Sequence, residues 1–189
     1  QRQMCIRDSK NMKKRKYIGG EYMELWDAYD ESFNKLDCKP LIRGQVIPNG
    51  VFHLVCDVLV RHTDGSYLIM QRDLNKHLGG MWEATAGGSA LQGEQPIDCA
   101  KRELFEETGI IPSSIKQVGT VVHKQHHSIY CEFICITETN KNAIRLQDGE
   151  TIAFKWVTQK ELLSMSKDEL ATTRILKYIS CLLYTSDAA

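Results

Sequence analysis

The feature that most constrains this chain is a set of three glutamates, Glu103, Glu106 and Glu107, in the segment R-E-L-F-E-E-T-G-I. Their spacing places them on one face of an α-helix, close to one another. Carboxylates at such short separations repel one another unless a positive charge lies between them. The spacing therefore predicts a helix that holds a hard divalent cation, Mg²⁺ or Mn²⁺, through oxygen ligands.

The neighbouring residues predict the bounds of this helix. Pro96 suits the first helical position, where its missing N–H costs nothing, and Gly109 suits the left-handed residue just past the end. We therefore predict a helix over Pro96–Thr108. It would turn a mostly apolar stripe towards a core, and that stripe consists of Ile97, Ala100, Leu104 and Thr108.

Arg102 precedes Glu103 and lies one turn before Glu106, so its guanidinium can orient a carboxylate and keep it ionised. The alternative is a solvated acidic helix face, which is the usual meaning of a charge run. A glycine turn at residues 87–88 and a further glutamate, Glu94, favour the metal site.

The glutamates belong to a longer pattern over residues 88–110, G-S-A-L-Q-G-E-Q-P-I-D-C-A-K-R-E-L-F-E-E-T-G-I. This pattern resembles the signature of the Nudix hydrolases, and every fixed position is filled. The flanking motifs W-D-A-Y-D-E, Q-R-D-L-N-K and G-M-W-E are similar to a Nudix subgroup related to isopentenyl-diphosphate isomerase. The fixed positions are Gly88, Glu94, Arg102, Glu103, Leu104, Glu106, Glu107, Gly109 and Ile110.

The resemblance implies metal-dependent hydrolysis of a diphosphate linked to another moiety, commonly a nucleoside. Arg102 would orient the metal ligands without binding the metal itself. Glu106 and Glu107 would be catalytic carboxylates. The implied ligands are Glu103, Glu106 and Glu107, completed by the Gly87 carbonyl and supported by Glu94 directly or through water.

The general base is predicted by analogy with family members in which a later glutamate reaches the metals. Glu150, six residues before Trp156, is the candidate here. The alternative is a plain loop carboxylate.

Four residues are predicted substrate contacts. Arg72 and Lys76 flank the loop before the signature and can bind phosphate oxygens, or be ordinary surface cations. Trp82 can stack on a base, although an aromatic near a strand end is usually core. Gly88, in the glycine turn, is the fourth.

Composition agrees with a small-molecule enzyme. The chain has 189 residues, 42% hydrophobic and 25% charged, with formal net charge zero. Neutrality gives no argument for a nucleic-acid polymer or a membrane as partner. The seven cysteines are scattered without C-x-x-C pairing, which favours a reduced, cytoplasmic protein. A homodimer is compatible with the resemblance.

The order of elements predicts one α/β domain over residues 22–182, a mixed sheet between helices in a Nudix-type α/β/α sandwich. Residues 10–21 are predicted to be a basic, solvated tail. Residues 1–9 and 183–189 look like translated sequencing-adapter read-through. The predicted strands cover 51–61, 66–71, 81–86, 115–123, 128–137 and 151–157, and the later helices 159–164 and 167–181.

Two rival functions are weighed. Isomerisation of isopentenyl diphosphate relies on a cysteine in an N-x-C-C-x-H-P type segment, whereas residues 84–90 read A-T-A-G-G-S-A. A non-catalytic nucleotide-binding domain would be expected to lose signature carboxylates, and none is lost. The substrate is left open, because the signature builds the metal site and not the pocket for the leaving group. The proline that marks ADP-ribose hydrolases of the family would fall near Gln125, which does not match.

Overall fold

The structure, a computed structural model, describes residues 15–18 and 20–182. The segments predicted to be adapter-derived, 1–9 and 183–189, lie outside this part. Within it, no helix has the length and apolar character needed to span a membrane. The strands are β1 (Arg15–Ile18), β2 (Glu21–Trp26), β3 (Leu41–Ile42), β4 (His53–His62), β5 (Tyr67–Arg72), β6 (Trp82–Glu83), β7 (Thr85–Ser89), β8 (Ser114–His123), β9 (Ser128–Thr137) and β10 (Thr151–Val157), and the helices are α1 (Pro96–Thr108), α2 (Gln159–Ser164) and α3 (Lys177–Leu182).

Helix α1 has the predicted bounds. It begins at Pro96 and is followed by Gly109, whose φ of 73° is the left-handed value expected there. Strands β9 and β10 and helix α2 also match their predictions residue for residue. Helix α2 is held by a capping box, in which Thr158 and Glu161 exchange side-chain and backbone hydrogen bonds.

The chain divides into two compact units. The first contains the described residues up to Val55 together with Ser89–Cys99 and Thr120–Cys131. In this unit β1, β2 and β3 form a sheet in that order. The rings of Trp26 and His53, both buried, stack with their centroids 4.2 Å apart.

Strand β1 lies within residues 10–21, the range for which a basic, solvated tail is predicted. Arg15–Ile18 pairs antiparallel with β2, and Ile18 is paired with Glu21. Gly20 has a φ of 98°, which a glycine adopts without steric cost. The structure describes residues 15–18, 20 and 21 of this range, and the tail stays a prediction.

The second unit contains Cys56–Gly88, Ala100–Gly119 and the described residues from Glu132 onward. Its sheet has the strand order β10-β5-β4-β9-β8, with β6 paired to β5 and β7 paired to β4. Strand β5 is antiparallel to β10, β4 and β6, whereas Trp82 and Leu170 form a parallel bridge. The sheet is therefore mixed, as predicted.

The core of the second unit joins the sheet to the C-terminal segment. Large apolar side chains from β4, β5, β9 and β10 pack with those of α2 and the residues after it, and each fully buried one contributes roughly 1.5–3 kcal/mol. This packing fixes the strands that carry the candidate site. The cluster consists of Leu59, Tyr67, Ile69, Ala84, Ile134, Val157, Leu162, Leu170, Ile175 and Ile179.

The predicted glycine turn is wrong. Gly87 and Gly88 lie inside strand β7, and neither has a positive φ. The predicted strand over 81–86 is instead divided between β6 and β7. The glycines are therefore needed for space beside the strand rather than for a turn.

The predicted helix over 167–181 is also wrong in its first half. There the chain runs alongside β6: the Trp82 N–H donates to the Glu169 carbonyl and the Ala171 N–H donates to the Trp82 carbonyl, both at 2.8 Å. Backbone groups engaged in this bridge are not available for helical hydrogen bonds. A 3₁₀ turn (Arg174–Leu176) follows, and only then does α3 begin.

Candidate active site

Two of the three α1 glutamates are shielded from solvent. Glu107 is buried and the Glu103 side chain is 14% exposed, whereas the Glu106 side chain is 40% exposed. Arg102 Nη1 donates to Glu103 Oε1 at 2.6 Å and to Glu106 Oε2 at 3.0 Å. The guanidinium thus bridges two carboxylates of the predicted face and can orient both.

Glu107 is a buried acid among like charges. Burial raises its pKa to about 8, and the charges of Glu103 and Glu83 act in the same direction. Lys76 and a hydrogen bond donated by the Gly87 N–H lower the pKa, but by less. Such a shift in an acid with close charge partners is typical of a functional site.

The two glycines of β7 leave room for specific neighbours. A Cβ at Gly88 would lie 2.6 Å from the Glu103 carboxylate carbon. A Cβ at Gly87 would lie 2.1 Å from the Cys56 carbonyl oxygen. Gly88 therefore lets a glutamate of α1 lie against β7, and Gly87 lets β7 lie against β4.

Glu83 is a carboxylate that the sequence analysis did not assign to the site. It lies on β6, its charge raises the pKa of Glu107, and Arg72 pairs with it. Arg72 also donates through Nε to the His77 carbonyl at 3.0 Å. This glutamate is the last residue of the motif G-M-W-E. Sequence spacing alone does not predict that a residue of this strand lies close to a glutamate of α1.

Glu150 and Lys76 are brought together. Their side chains form an ion pair in which each is about one-third exposed, 31% and 30%. The backbone explains the contact: the Asp73 N–H donates to the Glu150 carbonyl at 2.9 Å, where β10 meets the end of β5. Lys76 also lowers the pKa of Glu107 through its charge, so the pair belongs to the same electrostatic environment as the buried acid.

Trp82 is partly buried and packs against the core of the second unit. The Lys155 ammonium lies over its ring, 4.2 Å from the centroid. This is a cation–π contact, and it covers a face of the indole.

Glu94 belongs to the first unit. Its carboxylate accepts a hydrogen bond from the Leu91 N–H at 2.9 Å, which closes the turn that precedes α1. All the other predicted site residues lie in the second unit.

The donor groups of the second-unit site are carboxylate oxygens, which are the ligands that a hard cation prefers. One of these carboxylates, that of Glu107, is buried among like charges. Within residues 15–18 and 20–182, however, no three His, Cys, Asp or Glu side chains are arranged as a ready metal site. Arg102 holds oxygens of both Glu103 and Glu106. This contact involves one oxygen of each carboxylate, so Arg102 can orient both groups while a cation binds through their other oxygens.

Comparison with known proteins identifies the family. The NUDIX domain family matches residues 51–178, more than half of the chain. An uncharacterized Nudix hydrolase of Listeria monocytogenes, lmo0368, is 33% identical over 144 residues, which cover 74% of this chain and 83% of that protein. The isopentenyl-diphosphate Delta-isomerase of Streptomyces coelicolor is 40% identical over 75 residues, 39% of this chain and 38% of that protein. The chain belongs to the Nudix hydrolase family.

Solved structures agree on the fold. DR0079 from Deinococcus radiodurans superposes with a TM-score of 0.67 at 17% identity, over 84% of this chain and 98% of that one. At this identity the similarity shows the fold alone. It confirms the predicted class, the Nudix-type α/β/α sandwich with a mixed sheet.

Proposed function

We propose that the protein hydrolyses a diphosphate bond in a small molecule, a nucleoside diphosphate-linked compound or one similar to it, with Mg²⁺ or Mn²⁺ as cofactor. The observation that carries the proposal is the intact Nudix signature over residues 88–110, in which Glu103 of α1 lies against Gly88 of β7 and Glu107 is buried. These side chains supply the oxygen donors that the cofactor prefers.

The cation would be held by the α1 carboxylates, and when bound it supplies charge neutralisation at the phosphoryl oxygens and a more acidic water. Arg102 would orient Glu103 and Glu106 together as metal ligands, because a single nitrogen, Nη1, contacts one oxygen of each. The proposed ligands are Glu103, Glu106 and Glu107, with the Gly87 carbonyl, and with Glu94 acting directly or through water.

The substrate phosphates would be bound by Arg72 and Lys76. Both cations are paired in the structure, Arg72 with Glu83 and Lys76 with Glu150. An incoming phosphate would compete with these carboxylates, and Lys76 would then leave Glu150 free to accept a proton from water. Gly88 and Trp82 are the remaining proposed substrate contacts, although the Lys155 ammonium over the Trp82 ring favours a packing role for that residue.

The proposal includes a cytoplasmic location and a small-molecule partner rather than a nucleic-acid polymer or a membrane. A reduced compartment is supported by cysteines in the described part of the chain that form no disulfide, namely Cys38, Cys56, Cys99, Cys131 and Cys135. A homodimer stays a prediction.

The test is a turnover assay over nucleoside triphosphates, dinucleotides, nucleotide sugars and prenyl diphosphates. We expect hydrolysis that requires Mg²⁺ or Mn²⁺ and stops with a chelator, and Glu106→Gln should lower kcat/KM roughly 100-fold, at the upper end of the effect of metal-supporting residues. Glu138→Gln, an exposed glutamate just after β9, is the matched control. Equal residual activity in wild type and Glu106→Gln on every compound would reject the proposal.

Isopentenyl-diphosphate isomerisation is the second candidate, favoured by the 40% identity to a Streptomyces coelicolor isomerase over 75 residues. Residues 84–90 contain neither cysteine nor histidine to carry that reaction. Double-bond migration and hydrolysis can be followed in the same sample by NMR. Isomerisation without hydrolysis would replace the hydrolase proposal.

Glu150 has its own test. If it is the general base, Glu150→Gln should lower kcat about 100-fold or more, with a much smaller change in KM. Asp148→Asn, an exposed carboxylate in the same loop, should leave both constants near wild type. A kcat within threefold of wild type would mean that Glu150 is a plain loop carboxylate and not the general base.

A further inference from the structure

Away from α1, the second unit buries another pair of acids. Asp57 on β4 is 8% exposed and Glu132 on β9 is fully buried, and the two strands are neighbours in the sheet. Two carboxylates withdrawn from water on adjacent strands are unfavourable unless cations accompany them. These acids lie outside the Nudix signature.

Arg174, in the 3₁₀ turn before α3, accompanies both acids. Its Nη2 pairs with Asp57 Oδ2, and its Nε lies 3.3 Å from Glu132 Oε1. Lys177 approaches the other oxygen of Glu132, with Nζ 3.5 Å from Oε2. The C-terminal segment is thus anchored to β4 and β9 by charge.

Asp57 also lies against the candidate active site. A Cβ at Gly87 would lie 3.0 Å from both the Asp57 Cα and its Oδ1, so the two residues are in close contact across β4 and β7. The Gly87 N–H in turn donates to the Glu107 carboxylate. A continuous set of contacts therefore runs from Arg174 through Asp57 and Gly87 to Glu107.

We propose that Arg174 is a positioning residue of the active site: its ion pair with Asp57 holds β4 against β7 at Gly87, and thereby holds the Glu107 carboxylate in place. The inference rests on the proposed function only in treating Glu107 as a metal ligand. Without Arg174, Asp57 would lose the ion pair that ties it to the C-terminal segment, and burial, which already raises the pKa of Asp57 to about 6, would favour its neutral form. The strand contact at Gly87 would then lose this anchor and loosen.

The direct test is the exchange rate of the Gly87 amide proton, measured by NMR on the full chain with a chelator present. Arg174→Ala is expected to accelerate that exchange about tenfold, since the amide opens when the strand contact loosens. Arg174→Lys should restore part of the protection. Lys177→Ala, which removes the other cation near Glu132, should leave Gly87 exchange within about twofold of wild type.

A second measurement uses Mn²⁺ binding, followed by calorimetry or by the electron paramagnetic resonance of free Mn²⁺. Arg174→Ala is expected to raise the Mn²⁺ dissociation constant about tenfold, with most of that change lost in an Asp57→Asn background. If Arg174→Ala only lowers the melting temperature, while Gly87 exchange and Mn²⁺ affinity stay at wild-type values, Arg174 is merely structural and the inference is overturned. Absence of hydrolysis by the wild type would instead count against the proposed function, because neither of these measurements uses a substrate.

Discussion

Glu107→Gln should abolish most metal-dependent hydrolysis and, in the same protein, raise the stability of the metal-free form. The loss of activity follows from removing a charged group that is proposed to bind the metal, and roughly a 100-fold decrease in kcat/KM is a lower bound, because even residues that only support metal ligands have effects of 10–100-fold. The gain in stability follows from burial. An amide has no charge to desolvate, whereas the Glu107 carboxylate lies among the charges of Glu103 and Glu83.

The pH dependence gives the sign and size of this effect. The pKa of Glu107 is raised from 4.5 to about 8, so the folded protein retains a proton that the unfolded chain releases. The associated stability is fully present below pH 4.5 and is lost progressively as pH rises to about 8. At pH 7 the free energy of unfolding of wild type is therefore about 3 kcal/mol lower than at low pH. Each pH unit above the pKa of the unfolded chain contributes about 1.36 kcal/mol to this decrease.

Chemical denaturation with a chelator, repeated between pH 4.5 and 8, measures this directly. Wild type should lose free energy of unfolding across that window, and Glu107→Gln should lose markedly less. Adding Mn²⁺ at pH 8 should stabilise wild type more than the variant. Parallel pH profiles for the two proteins would contradict the raised pKa of Glu107. Glu138→Gln controls for the loss of any one carboxylate.

Local sequence signals were sufficient for the parts of the site that lie on one element. Pro96 and Gly109 carry their own conformational preferences, so the bounds of α1 could be predicted without knowing its neighbours. The spacing of Glu103, Glu106 and Arg102 likewise places them on one helical face. The structure adds that Arg102 contacts both of those carboxylates.

What could not be predicted depends on strand pairing between distant parts of the chain. Glu83 affects Glu107 only because β6 and β7 are paired to β5 and β4, and nothing in a local pattern specifies that arrangement. The bridge between Trp82 and Leu170 overrides a helical pattern in the same way. The proposed role of Arg174 also requires a contact across 117 residues of sequence, its hydrogen bond to Asp57.

Gly88→Ala is expected to inactivate the enzyme while leaving it folded. The new Cβ would lie 2.6–2.8 Å from the carboxylate atoms of Glu103, which are the far end of a flexible side chain. Glu103 can rotate away, so the strand is preserved and the proposed ligand is displaced. We expect kcat/KM to fall about 100-fold, equivalent to roughly 2.7 kcal/mol of transition-state stabilisation, with little change in melting temperature.

Gly87→Ala is the matched contrast, because the adjacent glycine meets backbone instead of a side chain. Its Cβ would lie 2.1 Å from the Cys56 carbonyl oxygen, so β4 and β7 would have to separate. Overpacking of this kind should cost about 3 kcal/mol, or roughly 6–12 °C in melting temperature for a chain of this size. Gly88→Ala should thus lower activity without that loss of stability.

A double variant shows whether Gly88→Ala acts through Glu103. In a Glu103→Gln background the Glu103 carboxylate, which the new methyl group would displace, is already absent. Gly88→Ala should therefore lower kcat/KM by far less than in wild type. Independent, multiplicative losses would instead mean that the added methyl group obstructs the substrate at Gly88. Full activity of the single variant, with Glu103 unmoved in its crystal structure, would contradict the close approach of α1 to β7 on which the proposed metal site depends.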